Sequence, residues 1–187
     1  MHHWQCGSEN AHDERPTGAP PPKGEPVSVA TTAMEDDLEI KPLGSGCEVG
    51  RSCVLMTFKG YKILFDCGVH PAHTGLASLP YFDDIDPSEI DLLLVTHFHM
   101  DHCGAVPYFT EKTGFRGRVF MTHATKAIYK ILMHDASRLD RGEDKLFDEK
   151  DMLKSMEKIE PEITCGREII QVSPSGSDHT YVDRFYF

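Results

Sequence analysis

Six consecutive residues, His97-Phe98-His99-Met100-Asp101-His102, place three imidazoles and a carboxylate at H-x-H-x-D-H spacing. They follow directly on the apolar run Asp91-Leu92-Leu93-Leu94-Val95-Thr96, which has the length and composition of a buried strand. Gly104 comes next, and residues 105–113 carry helical spacing with Pro107 in the first turn, where its missing N–H costs least. Strand, loop and helix in that order constrain the chain to an α/β architecture, and the loop at the strand end is where such folds place their chemistry. Imidazole and carboxylate are ligands for borderline metals such as zinc. Along extended backbone His97 and His99 point to the same side. Asp101 joins them if the backbone stays extended, whereas a turn there sends Asp101 and His102 to a second ion. The competing readings, a solvated histidine cluster or an adventitious metal site, do not account for the strand and helix that frame the loop.

At 187 residues the chain is long enough for one domain with a real core. No apolar run approaches a membrane span, and the N-terminus has no stretch of signal-peptide type. The six cysteines (Cys6, Cys47, Cys53, Cys67, Cys103 and Cys165) form no C-x-x-C pair and no disulfide-style framework. They read as reduced thiols of a cytosolic or nuclear protein. A net charge of −11 argues against a stand-alone nucleic-acid binder, because phosphate contacts want a basic face. It leaves room for a nuclease whose metals meet the phosphate and whose basic groove comes from elsewhere.

Residues 1–37 read as a disordered tail, with Pro16, Pro20, Pro21, Pro22 and Pro26 among small and charged residues; His2 and His3 belong to that solvated terminus. A folded stretch is expected over 38–172 and an atypical tail over 173–187. Strands are predicted at 38–43, 53–58 and 61–65, the last two joined by Lys59-Gly60 as a two-residue turn. The hairpin ends on Asp66, a carboxylate at a strand end. A strand is predicted at 118–121, then a helix over 123–139 buried through Ile128, Ile131, Leu132 and Leu139. Asp148 is predicted to cap a second helix to about residue 159, with Met152, Leu153, Met156 and Ile159 as its buried stripe. A further strand is expected at 168–172, and Cys103 is expected to be a small buried residue. Arg51 and Lys126 are open between phosphate contact and solvated surface.

His97, His99, Asp101 and His102, preceded by Asp66, resemble the signature of the metallo-β-lactamase superfamily. The stretches Glu48-Val49-Gly50-Arg51-Ser52-Cys53, Phe65-Asp66-Cys67-Gly68-Val69-His70-Pro71 and Leu79-Pro80-Tyr81-Phe82 are similar to its β-CASP group of nucleic-acid-processing enzymes. So are Ile85-Asp86-Pro87-Ser88-Glu89-Ile90-Asp91 and the run from Phe120 to Tyr129. The similarity covers about residues 38–162 and is closest to the endonuclease branch of pre-mRNA 3′-end cleavage and polyadenylation. It implies an αββα sandwich, two zinc ions, pre-mRNA as substrate, other subunits of the cleavage and polyadenylation complex as partners, and a nuclear location. By position, His97 and His99 would bind the first zinc, and Asp101 and His102 the second. Asp66 and Asp101 are then the candidate catalytic carboxylates, with Asp66 orienting a ligand or the attacking water.

The same resemblance implies further ligands that these residues do not supply: a His in an Ala-Gly-His-type motif, an Asp in a Gly-Asp-Phe-type motif, and a last distant His. His179 lies among the wrong neighbours to replace them. The expectation is therefore roughly the first half of the sandwich, a truncated form with an apolar sheet face left uncovered, weak zinc binding and little or no RNA cleavage. Two other expectations are a non-catalytic docking module of the same complex and another hydrolase of the superfamily.

Overall fold

The computed structural model describes residues 37–139, 142, 144–163, 169–172 and 183–186, with side chains described as far as Glu160. The tail expected over 1–37 lies outside the described residues except for Asp37, as do Cys6, Cys165, His179 and most of the tail over 173–187.

Six strands form one mixed sheet in sequence order: β1 Glu39–Gly44, β2 Cys53–Phe58, β3 Tyr61–Phe65, β4 Leu92–Val95, β5 Arg118–Thr122 and β6 Ile159–Ile163. The first three run antiparallel to one another, and β3 to β6 run parallel. The β2–β3 turn works because Lys59 and Gly60 both take positive φ, 50° and 81°, whose twist matches the flanking strands. Three 3₁₀ turns, Gly75–Ser78, Phe82–Asp84 and Pro87–Glu89, carry the chain from β3 to β4. Two short helices, α1 Met100–Cys103 and α2 Val106–Lys112, lead from β4 to β5; α3 His123–Leu139 and α4 Glu149–Lys158 lead from β5 to β6. A separate antiparallel pair joins β7 Ile169–Val172 to β8 Asp183–Tyr186. No described helix is long and apolar enough to cross a membrane.

Strand alternation sends Leu55, Leu64, Leu93, Val119 and Met121 to one face, where they pack in one cluster with Phe109, Phe115, Tyr129, Met133 and Met152. The other face holds Tyr61, Ile63, Leu92, Leu94 and Phe120. None of these five is more than 5% exposed, which corrects the expectation of an uncovered apolar sheet face. The guanidinium of Arg118 lies 4.7 Å from the Phe120 ring centroid, an amphipathic cover over that face.

Two helix faces also differ from the predicted ones. On α3 the buried residues are Thr125, Tyr129, Met133 and Ser137, recurring every four, while Ile131 is 65% and Leu139 81% exposed. Polar residues face inward because they are satisfied there. Tyr129 Oη lies 3.3 Å from Ser155 Oγ of α4, and Ser137 Oγ donates to the His134 carbonyl at 2.8 Å. On α4, Met152 and Ser155 are buried and Leu153 is exposed. That helix opens with the expected Asp148 cap, extended to a capping box by Asp151, whose side chain accepts from the Asp148 N–H. It ends at Lys158, so Ile159 is buried as the first residue of β6. β6 itself was hidden by Pro161 between two glutamates. It is an edge strand, where proline is tolerated, and Glu160 pairs with Arg118 of the neighbouring strand.

Candidate metal centre

β3 hands over to Asp66, which takes φ of 61°, a left-handed conformation that a short polar side chain tolerates. The Asp66 N–H donates to the Leu94 carbonyl at 2.9 Å, so the turn stays tied to β4. Its carboxylate is buried and receives three groups. The Thr96 N–H donates to Oδ1 at 2.7 Å, the Thr96 hydroxyl lies 3.0 and 2.9 Å from the two oxygens, and His102 Nδ1 lies 2.8 Å from Oδ2. An ionised carboxylate only accepts, so His102 carries its proton on Nδ1 and presents the Nε2 lone pair on the other side of the ring.

Of the two backbone courses left open by the sequence, the chain takes the turn. His99 is the extended residue before α1, and Met100 begins the helix, so Asp101 leaves the side shared by His97 and His99. The His97 and His99 ring centroids are 4.8 Å apart, and those of His97 and His102 are 4.0 Å apart. Asp101 Oδ2 lies 3.6 Å from His102 Nε2. Two atoms bound to one zinc at about 2.1 Å with tetrahedral geometry stand about 3.4 Å apart. The Asp101–His102 pair therefore fits one side of an ion's shell, with His102 already in the tautomer that offers Nε2. Among the described residues, no three His, Cys, Asp or Glu side chains gather so as to hold one ion together.

The loop is braced by backbone. The carbonyls of Asp101 and His102 accept from the N–H groups of Ser52 and Cys67, both at 2.8 Å, and the Met100 carbonyl accepts from Gly104 within the helical turn (2.8 Å) and from Val69 outside it (3.0 Å). Gly68 sits between these bonds: a Cβ built on it would lie 1.7 Å from the Asp101 carbonyl oxygen. Glycine is required there by close approach.

Several neighbours belong to the fold rather than to the site. Cys103 is fully buried, and its thiol donates to the Phe98 carbonyl at 3.2 Å. Burial pushes that thiol up to about 12, so it stays protonated and unreactive. Burial likewise raises Cys53 and Cys67. Arg51 is a buried clamp: its guanidinium pairs with Glu48, donates to the Ala77 and Leu79 carbonyls at 3.2 Å each, and reaches Tyr81 Oη at 2.9 Å. Lys126 donates to the Ile159 carbonyl at 2.6 Å. Sequence reasoning passed over Thr96, Ser52 and Gly68. A hydroxyl residue placed directly before the first histidine was the available signal for Thr96; backbone braces leave none.

A family profile described as the metallo-β-lactamase superfamily matches residues 48–176. Cleavage and polyadenylation specificity factor subunit 3-I of Arabidopsis thaliana is 65% identical over 127 residues, 67% of this chain and 18% of that protein. The specificity factor's subunit 3 of Dictyostelium discoideum is 61% identical over 134 residues, 69% and 17% of the two chains. Endoribonuclease ysh1 of Schizosaccharomyces pombe is 46% identical over 157 residues, 81% and 21%. The chain spans about a fifth of the length of these curated relatives. The mixed sheet, the loop at the end of β4 and the profile match agree: the chain belongs to the metallo-β-lactamase superfamily.

Proposed function

We propose that this chain provides part of the active site of a zinc-dependent RNA endonuclease acting in pre-mRNA 3′-end cleavage and polyadenylation. The observation that carries the reading is the Asp66–His102–Asp101 arrangement, in which one carboxylate fixes the imidazole and a second stands 3.6 Å from its exposed nitrogen. The relatives' names supply the substrate class: one is an endoribonuclease, and others are subunits of the cleavage and polyadenylation specificity factor.

In this reading residues 38–172 form the contributing part of the lobe. His97 and His99 hold one ion, and Asp101 and His102 hold the second. Asp66 keeps His102 in register, and Asp66 and Asp101 are the catalytic carboxylates. Zinc, when bound, supplies a Lewis acid for the phosphate oxygens and a means of activating water at neutral pH. The substrate is pre-mRNA, the partners are other subunits of the cleavage and polyadenylation complex, and the place of action is the nucleus. A zinc site wants about four donors per ion. These 187 residues, tested alone, are therefore expected to take up zinc weakly and to cut RNA little or not at all.

A chimaera tests the proposal. The matching 127-residue stretch of the Arabidopsis thaliana subunit is replaced by that of this chain, and a labelled pre-mRNA 3′ region is offered. Chelator-sensitive cutting that is lost on His97→Ala or Asp101→Ala is the expected result. A folded chimaera that binds zinc and leaves the RNA whole, beside a cutting parent, refutes it. Two zinc ions per chain and chelator-sensitive cutting by the 187 residues alone would overturn the expectation of an incomplete site.

A further inference from the structure

We propose that Thr96 is a positioning residue: its hydroxyl relays the Asp66 carboxylate to His97 and holds that imidazole as the Nδ1–H tautomer, with Nε2 turned outward. Thr96 Oγ1 lies 2.9 Å from His97 Nδ1, 3.0 Å from Asp66 Oδ1 and 2.9 Å from Asp66 Oδ2. A hydroxyl has one proton and two lone pairs. The two contacts to Asp66 need that proton, because an ionised carboxylate has none to give. The Thr96 N–H is directed to Oδ1 and does not relieve the hydroxyl contact. With its proton committed to Asp66, Oγ1 can only accept from His97, so His97 carries hydrogen on Nδ1. The opposite tautomer would either turn the Oγ1 proton toward His97 and leave oxygen lone pairs facing each other at 2.9–3.0 Å, or set two lone pairs against each other at Nδ1.

One buried carboxylate thus sets two imidazoles, His102 directly and His97 through a hydroxyl. Both rings then offer an unprotonated Nε2, opposite the Nδ1 that the hydrogen bond fixes, as a metal-ligating imidazole does. That consequence rests on the proposed metal reading; the tautomer assignment does not.

The test uses the full 187-residue chain, treated with chelator and held at about pH 8, above the ordinary histidine pKa of about 6.5. Long-range proton–nitrogen correlation of the imidazoles reads the His97 tautomer directly. The wild type is expected to show Nδ1–H at His97. Thr96→Val, nearly isosteric and without the hydroxyl, is expected to lose that preference, and Thr96→Ser to keep it. Zinc affinity, measured by competition with a chromophoric chelator, is expected to fall about 10–100-fold in T96V and to recover in T96S. Nε2–H at His97 in the wild type, or in T96S, overturns the inference even if T96V does not fold. An unchanged tautomer in folded T96V overturns it as well. If the wild type takes up no zinc but shows the expected tautomers, the metal reading fails and the Thr96 assignment stands. If it binds zinc and T96V changes neither tautomer nor affinity, only the Thr96 inference fails.

Discussion

Replacing Gly68 by alanine tests whether the loop that carries His97, His99, Asp101 and His102 is held by the backbone contact beneath it. The added Cβ would stand 1.7 Å from the Asp101 oxygen, 2.1 Å from its carbonyl carbon and 2.7 Å from the His102 nitrogen. Ordinary carbon contacts lie at about 3.5–4.0 Å, so one backbone segment must retreat by roughly 1.5 Å. Overpacking of this kind costs about 1–3 kcal/mol. The retreat also stretches the bonds from Cys67 N–H to the His102 carbonyl and from Ser52 N–H to the Asp101 carbonyl, both 2.8 Å. Each such bond contributes about 0.5–1.5 kcal/mol. Together G68A should lose on the order of 3 kcal/mol, a large share of a stability that is typically about 5–15 kcal/mol. Gly60→Ala is the control. Gly60 has φ of 81° and nothing within 4 Å of a built Cβ, so it meets only the left-handed backbone term, about 1–2 kcal/mol. Urea unfolding at constant slope gives both values. A G68A midpoint within about 1 kcal/mol of wild type, or one less damaging than G60A, refutes the close-approach reasoning.

Asp66→Asn keeps a residue that tolerates positive φ, while Asp66→Ala does not. Both should weaken zinc binding by about 10–100-fold in chelator competition, and D66A should unfold about 1 kcal/mol more easily than D66N. Asp148→Ala removes the α4 cap and should cost about 1 kcal/mol, read as a shifted urea midpoint. Asp151 is raised by burial, but the Lys112 side chain at 2.7 Å and the Asp148 N–H outweigh this and hold its carboxyl below the usual value. A depressed folded pKa gives stability that is present above the unfolded value of about 3.9 and lost as pH falls through the folded one. The difference between wild type and Asp151→Asn should therefore shrink as urea midpoints are followed from about pH 7 to about pH 3; a constant difference would contradict it. Added zinc should raise the thermal midpoint of the chain and chelator reverse it, since a ligand bound only by the folded state stabilises by mass action; an unmoved midpoint counts against any zinc site in these residues.

The sequence is most legible where one local rule decides. Lys59-Gly60 permits two positive φ values and the hairpin follows; Asp148 offers a side-chain acceptor to free N–H groups and the helix starts after it. It is least legible where two partners decide together. Of the four apolar positions expected inward on α3, Leu132 packs against the core and Ile128, Ile131 and Leu139 do not, because Tyr129 is admitted there by Ser155, a residue 26 positions away. Pro161 and two glutamates disguise β6, since only the neighbour Arg118 and the edge position make that strand acceptable. At the site, the order of His97, His99, Asp101 and His102 is plain in the chain, but the backbone turn at Met100 and the shared use of Asp66 are products of packing.

From the segments that precede β2 and follow β3, the N–H groups of Ser52, Cys67 and Val69 reach the Asp101, His102 and Met100 carbonyls. The conformational entropy of arranging this loop is therefore lost when the chain folds, before any ion arrives. Any uptake of zinc is then expected to be limited by desolvation, with little chain reordering left to slow it. Amide exchange at Ser52, Cys67 and Val69 would then be slow with or without the ion, which separates a preformed cradle from one that closes around its guest.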